Sequence, residues 1–165
     1  MRLVVADTGP LHYLVLIGHI DVIPALFETV FVPSEVQDEL SRAETPPEVR
    51  CWIANPPAWL TVVQAPAVTV DPVLLRLDRG ERDAIILAAS LQADAILMDD
   101  RAGVAAAKTK GFTVVGTLGI LDAAARHRRI DLAQALSQLR KTTFRRKEEL
   151  FDAQLKKHQD EGRNA

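Results

Sequence analysis

The sequence predicts an α/β fold in which a parallel sheet is covered by helices on both faces. Three observations predict it. Short apolar runs without polar alternation, such as Leu3–Ala6 and Ala95–Met98, suit strands buried on both sides. Between them lie longer stretches whose apolar residues stand three and four apart, the spacing of helices. The two kinds of segment alternate along the chain, and that alternation builds parallel sheets.

The elements follow in order. Leu3–Ala6 is the first strand, and Asp7-Thr8-Gly9-Pro10 turns the chain into a helix over Leu11–Ile17. A second helix after Gly18 carries Ile20, Ile23, Leu26 and Phe27. Val30–Val32 is the second strand, and Pro33-Ser34 opens a helix over Glu35–Arg42. Pro46-Pro47 starts a helical stretch through Ile53, stopped by Asn55-Pro56-Pro57. Leu60–Val63 is the third strand, and Val73, Leu74 and Leu77 sit on a short helix. A helix begins at Gly80 and runs to Gln92, with acids in its first turn that complement the helix dipole. Ala95–Met98 is the fourth strand, followed by a helix to Lys110 with Gly111 as its stop. The β-branched and aromatic run Phe112–Val115 is the fifth strand. Helices are expected over 118–128, 131–141 and 144–158, with disorder from Gln159 to Ala165.

A chain of 165 residues that is 48% hydrophobic suits one domain with a real core, and 5% aromatics make that core aliphatic. The lone cysteine, Cys51, makes no internal disulfide and is expected as a small buried hydrophobe. Arg2 is followed by only four apolar residues before Asp7, which does not read as a secretory leader. No apolar run approaches the roughly 20 residues that span a bilayer. A soluble, cytoplasmic protein with no membrane partner is expected. The net charge of −2 hides an asymmetry: Arg126–Ala165 carries eleven Lys/Arg against six Asp/Glu, and the rest of the chain nine against sixteen. An acidic body beside a basic tail places a cation-attracting region next to a phosphate-attracting one, although a solvated amphipathic helix face has the same composition.

In an open parallel sheet, ligands bind beyond the carboxyl ends of the strands. The first strand ends in Asp7 and the fourth in Asp99-Asp100; the second leads into a helix with Glu35, Asp38 and Glu39, and Glu81 and Asp83 open the helix before the fourth. Each acid alone has an ordinary explanation as an N-cap, a first-turn charge or an exposed helix residue. Together they fall at one edge of the sheet. Converging carboxylates repel one another, and a hard divalent cation relieves that repulsion. Oxygen-only ligands favour Mg²⁺ or Mn²⁺ over zinc, and such an ion assists hydrolysis of a phosphodiester. The histidines, His12, His19, His127 and His158, share no ligand-like interval. Thr117 places a hydroxyl near the same edge.

Four segments carry a family resemblance. Val4-Val5-Ala6-Asp7-Thr8-Gly9-Pro10-Leu11 resembles the opening of PIN domains, and Val32-Pro33-Ser34-Glu35-Val36-Gln37-Asp38-Glu39-Leu40 their second motif. Asp83-Ala84-Ile85-Ile86-Leu87-Ala88-Ala89 resembles the third, and Ile96-Leu97-Met98-Asp99-Asp100 the fourth strand with its terminal acid. The likeness covers about residues 3–120 in order and spacing. It implies a Rossmann-like three-layer α/β/α sandwich, with a PIN-like nuclease domain over 1–125 and a basic helical extension over 126–165 packed on the same domain. It implies Mg²⁺ or Mn²⁺ held by Asp7, Glu39, Asp83 and Asp100, with Glu81 and Asp99 as alternates, and hydrolysis of RNA. Many relatives are toxins of type II toxin–antitoxin pairs, so the resemblance also implies an antitoxin partner and a homodimer. RNA phosphates would be drawn in by Arg82, Arg101, Lys108, Arg140, Lys141, Arg145 and Arg146.

Three features depart from the usual PIN pattern. Gly9 stands where many members have Ser or Asn, Met98 where Thr or Ser often precedes the last acid, and two acidic positions are doubled. Glu81 and Asp83 are two apart on a helix, about 200° around its axis, so both cannot face one ion. Asp83 and Asp100 are the expected ligands of the two pairs. The rival reading is a PIN-like module that binds RNA or protein without cleaving. A receiver-like phosphoacceptor domain fits less well, because the close acidic pair and the Lys after the last strand are missing.

Overall fold

The computed structural model describes residues 2–145 and 148–164. Among them, five strands form one sheet: β1 (Leu3–Ala6), β2 (Thr29–Pro33), β3 (Leu60–Val63), β4 (Ala95–Leu97) and β5 (Thr113–Val115). Every pairing is parallel, and the spatial order is β3-β2-β1-β4-β5. The chain therefore winds outward from β1 in one direction and from β4 in the other. The crevice between β1 and β4 is the switch point where ligands bind in sheets of this kind.

Helices cover both faces: α1 (Thr8–Leu16), α2 (Val22–Leu26), α3 (Ser34–Leu40), α4 (Pro47–Ala54), α5 (Arg79–Leu91), α6 (Arg101–Thr109), α7 (Thr117–Arg126), α8 (Leu132–Arg140) and α9 (Glu148–Arg163). The period of two along each strand sorts the core into two layers. Val4 and Ala6 of β1, with Ala95 and Leu97 of β4, face a cluster built by α1–α4 and α7–α9. Val5 and Ile96 face the other way, onto Ala84, Ile85, Leu87 and Ala88 of α5 and Ala106 and Ala107 of α6. This is a Rossmann-like α/β/α sandwich. The small alanines of α5 and α6 let these helices sit close to the sheet, and Gly111, at φ +87°, ends α6 as the sequence predicts.

The structure corrects the sequence reading in three places. Cys51 is exposed rather than buried. Helix α4 buries Val49 and Ile53, one turn apart, and Cys51 lies two residues from each, on the opposite side. The residues around Val73, Leu74 and Leu77 form only a 3₁₀ turn, Leu74–Arg76. The expected disorder from Gln159 is replaced by helix: α9 continues to Arg163, and its Glu161 pairs with Arg126 of α7. Phe151 of α9 is buried against Phe144, 6.0 Å between ring centroids, and Leu132 and Leu139 of α8 enter the same cluster as α1. No helix among the described residues is long and apolar enough to cross a membrane.

Candidate metal centre

The ladder between β1 and β4 runs one residue beyond the strands, where the Asp7 amide donates to the Leu97 carbonyl at 2.8 Å. That bond places Asp7 at the switch point with its side chain buried, and its Oδ1 has no hydrogen-bond partner. Burial pushes the Asp7 carboxyl up to about 7. A backbone bond at Thr8 opposes the rise, and the nearby charges of Glu39, Asp99 and Asp100 add to it.

Each neighbouring acid is held by a specific device. The Thr8 hydroxyl, at the first position of α1, donates to Glu39 Oε2 at 2.5 Å. A Cβ at Gly80 would stand 2.7 Å from both Glu39 carboxylate oxygens, so a side chain there would displace the Glu39 carboxylate. On the other side, Asp99 accepts from the Thr117 amide at 2.8 Å and from its hydroxyl at 2.5 Å. A Cβ at Gly116 would come within 2.9 Å of Asp99 Oδ1, and Gly9 faces Asp99 Oδ2, which a Cβ there would meet at 3.1 Å. The departure at Gly9 thus has a structural counterpart: the space a serine would occupy is taken up by Asp99. Met98 likewise packs its sulfur against bare Gly103.

The doubled acids separate. Glu81 is buried and pushed up to about 8 by desolvation, then by the charges of Asp100, Asp7 and Asp78; a bond from the Asp78 amide, 3.2 Å long, offsets part of this. Asp83 is only half-buried and lines a different hollow, with Glu35, Asp38, Arg79 and Arg82. It is not among the charges that raise Asp7 or Glu81. The helical geometry that forbids both from facing one point thus turns Glu81, not Asp83, toward Asp7. Of the other pair, Asp100 is exposed and caps α6, accepting from the Gly103 amide at 2.9 Å, while Asp99 faces Thr117 and Gly9.

Sequence reasoning gave the glycines at 80 and 116 no role; Gly80 beside Glu81 in the first turn of α5 was an available signal, whereas Gly116, the N-cap of α7, carried none. Thr117 was legible only as a hydroxyl near the right edge. His12 is half-buried against Tyr13, 4.7 Å between ring centroids, and burial lowers its pKa.

The basic residues also divide. Arg101, Lys108 and Arg145 line one groove beside Asp99. Arg82 lies in the hollow with Asp83. Arg140 is occupied in joining α8 to α9, through Asp152 at 2.9 Å, Glu148 at 3.1 Å and the Phe151 ring. Lys141 is exposed at the end of α8, and Arg146 lies outside the described residues.

A set of carboxylate oxygens with one buried, unpartnered member fits a hard divalent cation. Among the described residues no three Asp, Glu, His or Cys side chains are grouped closely enough to hold a metal ion as they stand. No curated protein and no solved structure matches the chain. A family model described as a PIN domain does match, over residues 3–160, which takes in the C-terminal helices as well as the sheet. The all-parallel sheet with helices on both faces agrees with that match, and the chain belongs to the PIN-domain family.

Proposed function

We propose that this protein is a Mg²⁺- or Mn²⁺-dependent endoribonuclease, the toxin of a type II toxin–antitoxin pair acting in the cytoplasm. The observation that carries the reading is the burial of Asp7 and Glu81 within reach of each other's charge, the Asp7 and Glu81 carboxyls pushed up first by desolvation and then by the neighbouring acids, with Asp7 Oδ1 left without a partner. Membership in a family whose members are usually nucleases supports it.

In this reading Asp7, Glu81, Glu39 and Asp100 hold the cation, with Asp99 beside them. This set exchanges the sequence-based Asp83 for Glu81 and keeps Asp100, whose charge acts on both Asp7 and Glu81. When bound, the cation would acidify a water and neutralise charge on the scissile phosphate. The chain's own groups do the rest. Thr8 orients Glu39, and Thr117 orients Asp99. Arg101 and Lys108 attract the phosphate chain toward an otherwise anionic centre. An antitoxin would silence the protein by covering this centre, and a homodimer is part of the same reading.

Cleavage of single-stranded RNA in Mn²⁺, wild type against Asp7→Asn, tests the proposal. Wild type should cut and the variant should not. Equal rates would assign the activity to a contaminant and remove the centre from the mechanism. The reading as a non-cleaving binding module draws on the lack of a preformed ligand cage; absence of Mn²⁺ binding in calorimetry would favour it.

A further inference from the structure

The acidic centre does not end at Asp99. A groove of about 580 Å³ opens beside it between α6 and the start of α9, over the carboxyl end of β5. Its volume lies within the roughly 300–1,000 Å³ of pockets that hold small organic ligands. Two kinds of surface meet in it. Met98, Val104 and Val114 make part of the lining apolar, and Leu150 of α9, 48% exposed, adds to it. Arg101, Lys108 and Arg145 supply cations, against Asp99 and Glu149 as acids.

Leu150 is an oddity on α9. The apolar side of that helix is anchored by Phe151, which is buried, yet the residue before it turns a large aliphatic chain outward. Its place in the lining of the same groove as Val104 and Val114 gives that exposure a use. A ligand with a flat, weakly polar ring and an adjoining anion would cover the aliphatic surface and meet the cations together. Nucleotides have that composition. In a duplex the rings are stacked and paired, and only phosphates would reach the groove; an unpaired nucleotide can offer its ring.

We propose that this groove is a nucleotide subsite. It takes one unpaired nucleotide next to the scissile phosphate, with its ring between Val104, Val114 and Leu150 and its phosphate toward Arg101 and Lys108. The inference rests on the nuclease reading only in supposing that the strand continues to Asp99. Because the ring is gripped by aliphatic side chains, the subsite selects for single-strandedness more than for base identity. The C-terminal helix thereby becomes part of the substrate site.

The test is binding without cleavage: fluorescence anisotropy of a short labelled oligoribonucleotide with the full chain in EDTA, single-stranded or annealed to its complement. Wild type should prefer the single strand. Leu150→Gln, which changes no charge at a surface position, should weaken single-strand binding about fivefold and leave duplex binding unchanged. Lys108→Ala should weaken both and flatten the salt dependence by about one ion. Equal affinity of wild type for the two forms would overturn the subsite, as would a Leu150→Gln variant that binds the single strand like wild type, the result expected of a groove made for a protein side chain. Cleavage in Mn²⁺ is scored separately. If wild type binds as described but does not cut, only the nuclease reading fails; if it cuts but Leu150→Gln changes nothing, only the subsite fails.

Discussion

Three acids are buried among the described residues, in two regions that treat them differently. Asp122, where α7 meets α9, accepts from Arg126 Nε at 2.8 Å, and His158 Nδ1 stands 3.5 Å from its other oxygen. The Arg126 guanidinium, one turn along α7, faces its charge, and the same Arg126 reaches Glu161 and so helps fasten α9, while Asp122 Oδ1 itself accepts no hydrogen bond. Asp7 and Glu81 at the switch point have no such partner; backbone bonds at Thr8 and Asp78 oppose their desolvation, and the nearest charges are other acids. A buried carboxylate without a cation is costly, and under the proposed function the two at the switch point are kept for a ligand rather than for stability. The same residue type faces an arginine in one region and only other acids in the other, which is what the proposed cation would answer.

The largest expected effect separates the regions by activity. Asp7→Asn should lower Mn²⁺-dependent RNA cleavage by roughly a hundredfold to a thousandfold or more, since several kcal/mol of charge stabilisation is withdrawn. Asp122→Asn should leave the cleavage rate within about twofold, the scatter expected for a site remote from the chemistry. Initial rates on one RNA substrate compare them.

The next effect is on stability, and it has opposite signs in the two regions. Asp7 and Glu81 have folded pKa values above those of an unfolded chain, so the folded protein holds protons that the unfolded chain releases. Their protonation is common to both states below about pH 4, and stability falls as pH rises from there through about 7 to 8. In EDTA, the urea midpoint should therefore decline across that window. Asp7→Asn should remove much of the slope and raise metal-free stability near pH 8, by on the order of 2–3 kcal/mol. Mg²⁺ should raise the wild-type midpoint most at the high end of the window, where the ligands are ionised.

A smaller effect sharpens the geometry. Gly80→Ala puts a Cβ against both Glu39 oxygens, and the flexible glutamate yields more easily than the helix. Cleavage should fall about tenfold to a hundredfold, the usual cost of disturbing what orients a ligand. Stability should hold or rise slightly, because alanine favours a helix over glycine by about 0.5–1 kcal/mol. Loss of both activity and stability would place the crowding on backbone rather than on Glu39. The smallest effect is Asp122→Asn on stability, a loss of about 1 kcal/mol from one charged hydrogen bond, with unchanged Mn²⁺ affinity by calorimetry.

Legibility differed in the same way between the regions. The strands at Leu3–Ala6, Leu60–Val63 and Ala95–Leu97 could be read from local apolar runs, and Asp7, Glu39 and the Asp99-Asp100 pair could be read as acids at strand ends and helix starts. The choice between Glu81 and Asp83 could not. Both open α5, and only the rotation of that helix about its axis, decided by which of its residues pack on the sheet, turns Glu81 inward. Cys51 failed for a related reason: residue preference suggested burial, but the face of α4 is chosen by Val49 and Ile53. Helix α9 was cut short because its end is polar; what holds it is Arg126, a partner 35 positions from Glu161 in the chain.

The amino-acid sequence by itself determined the alternation of strand and helix, hence the parallel sheet, and the presence of acids at its carboxyl edge, because these depend on periodicities of a few residues. Tertiary structure alone decided which carboxylates meet at the switch point, which lysines and arginines flank them and which are spent on holding helices together. Those choices depend on helix rotation and on contacts between distant segments, where a single turn of backbone moves a charge from the buried centre to the solvent.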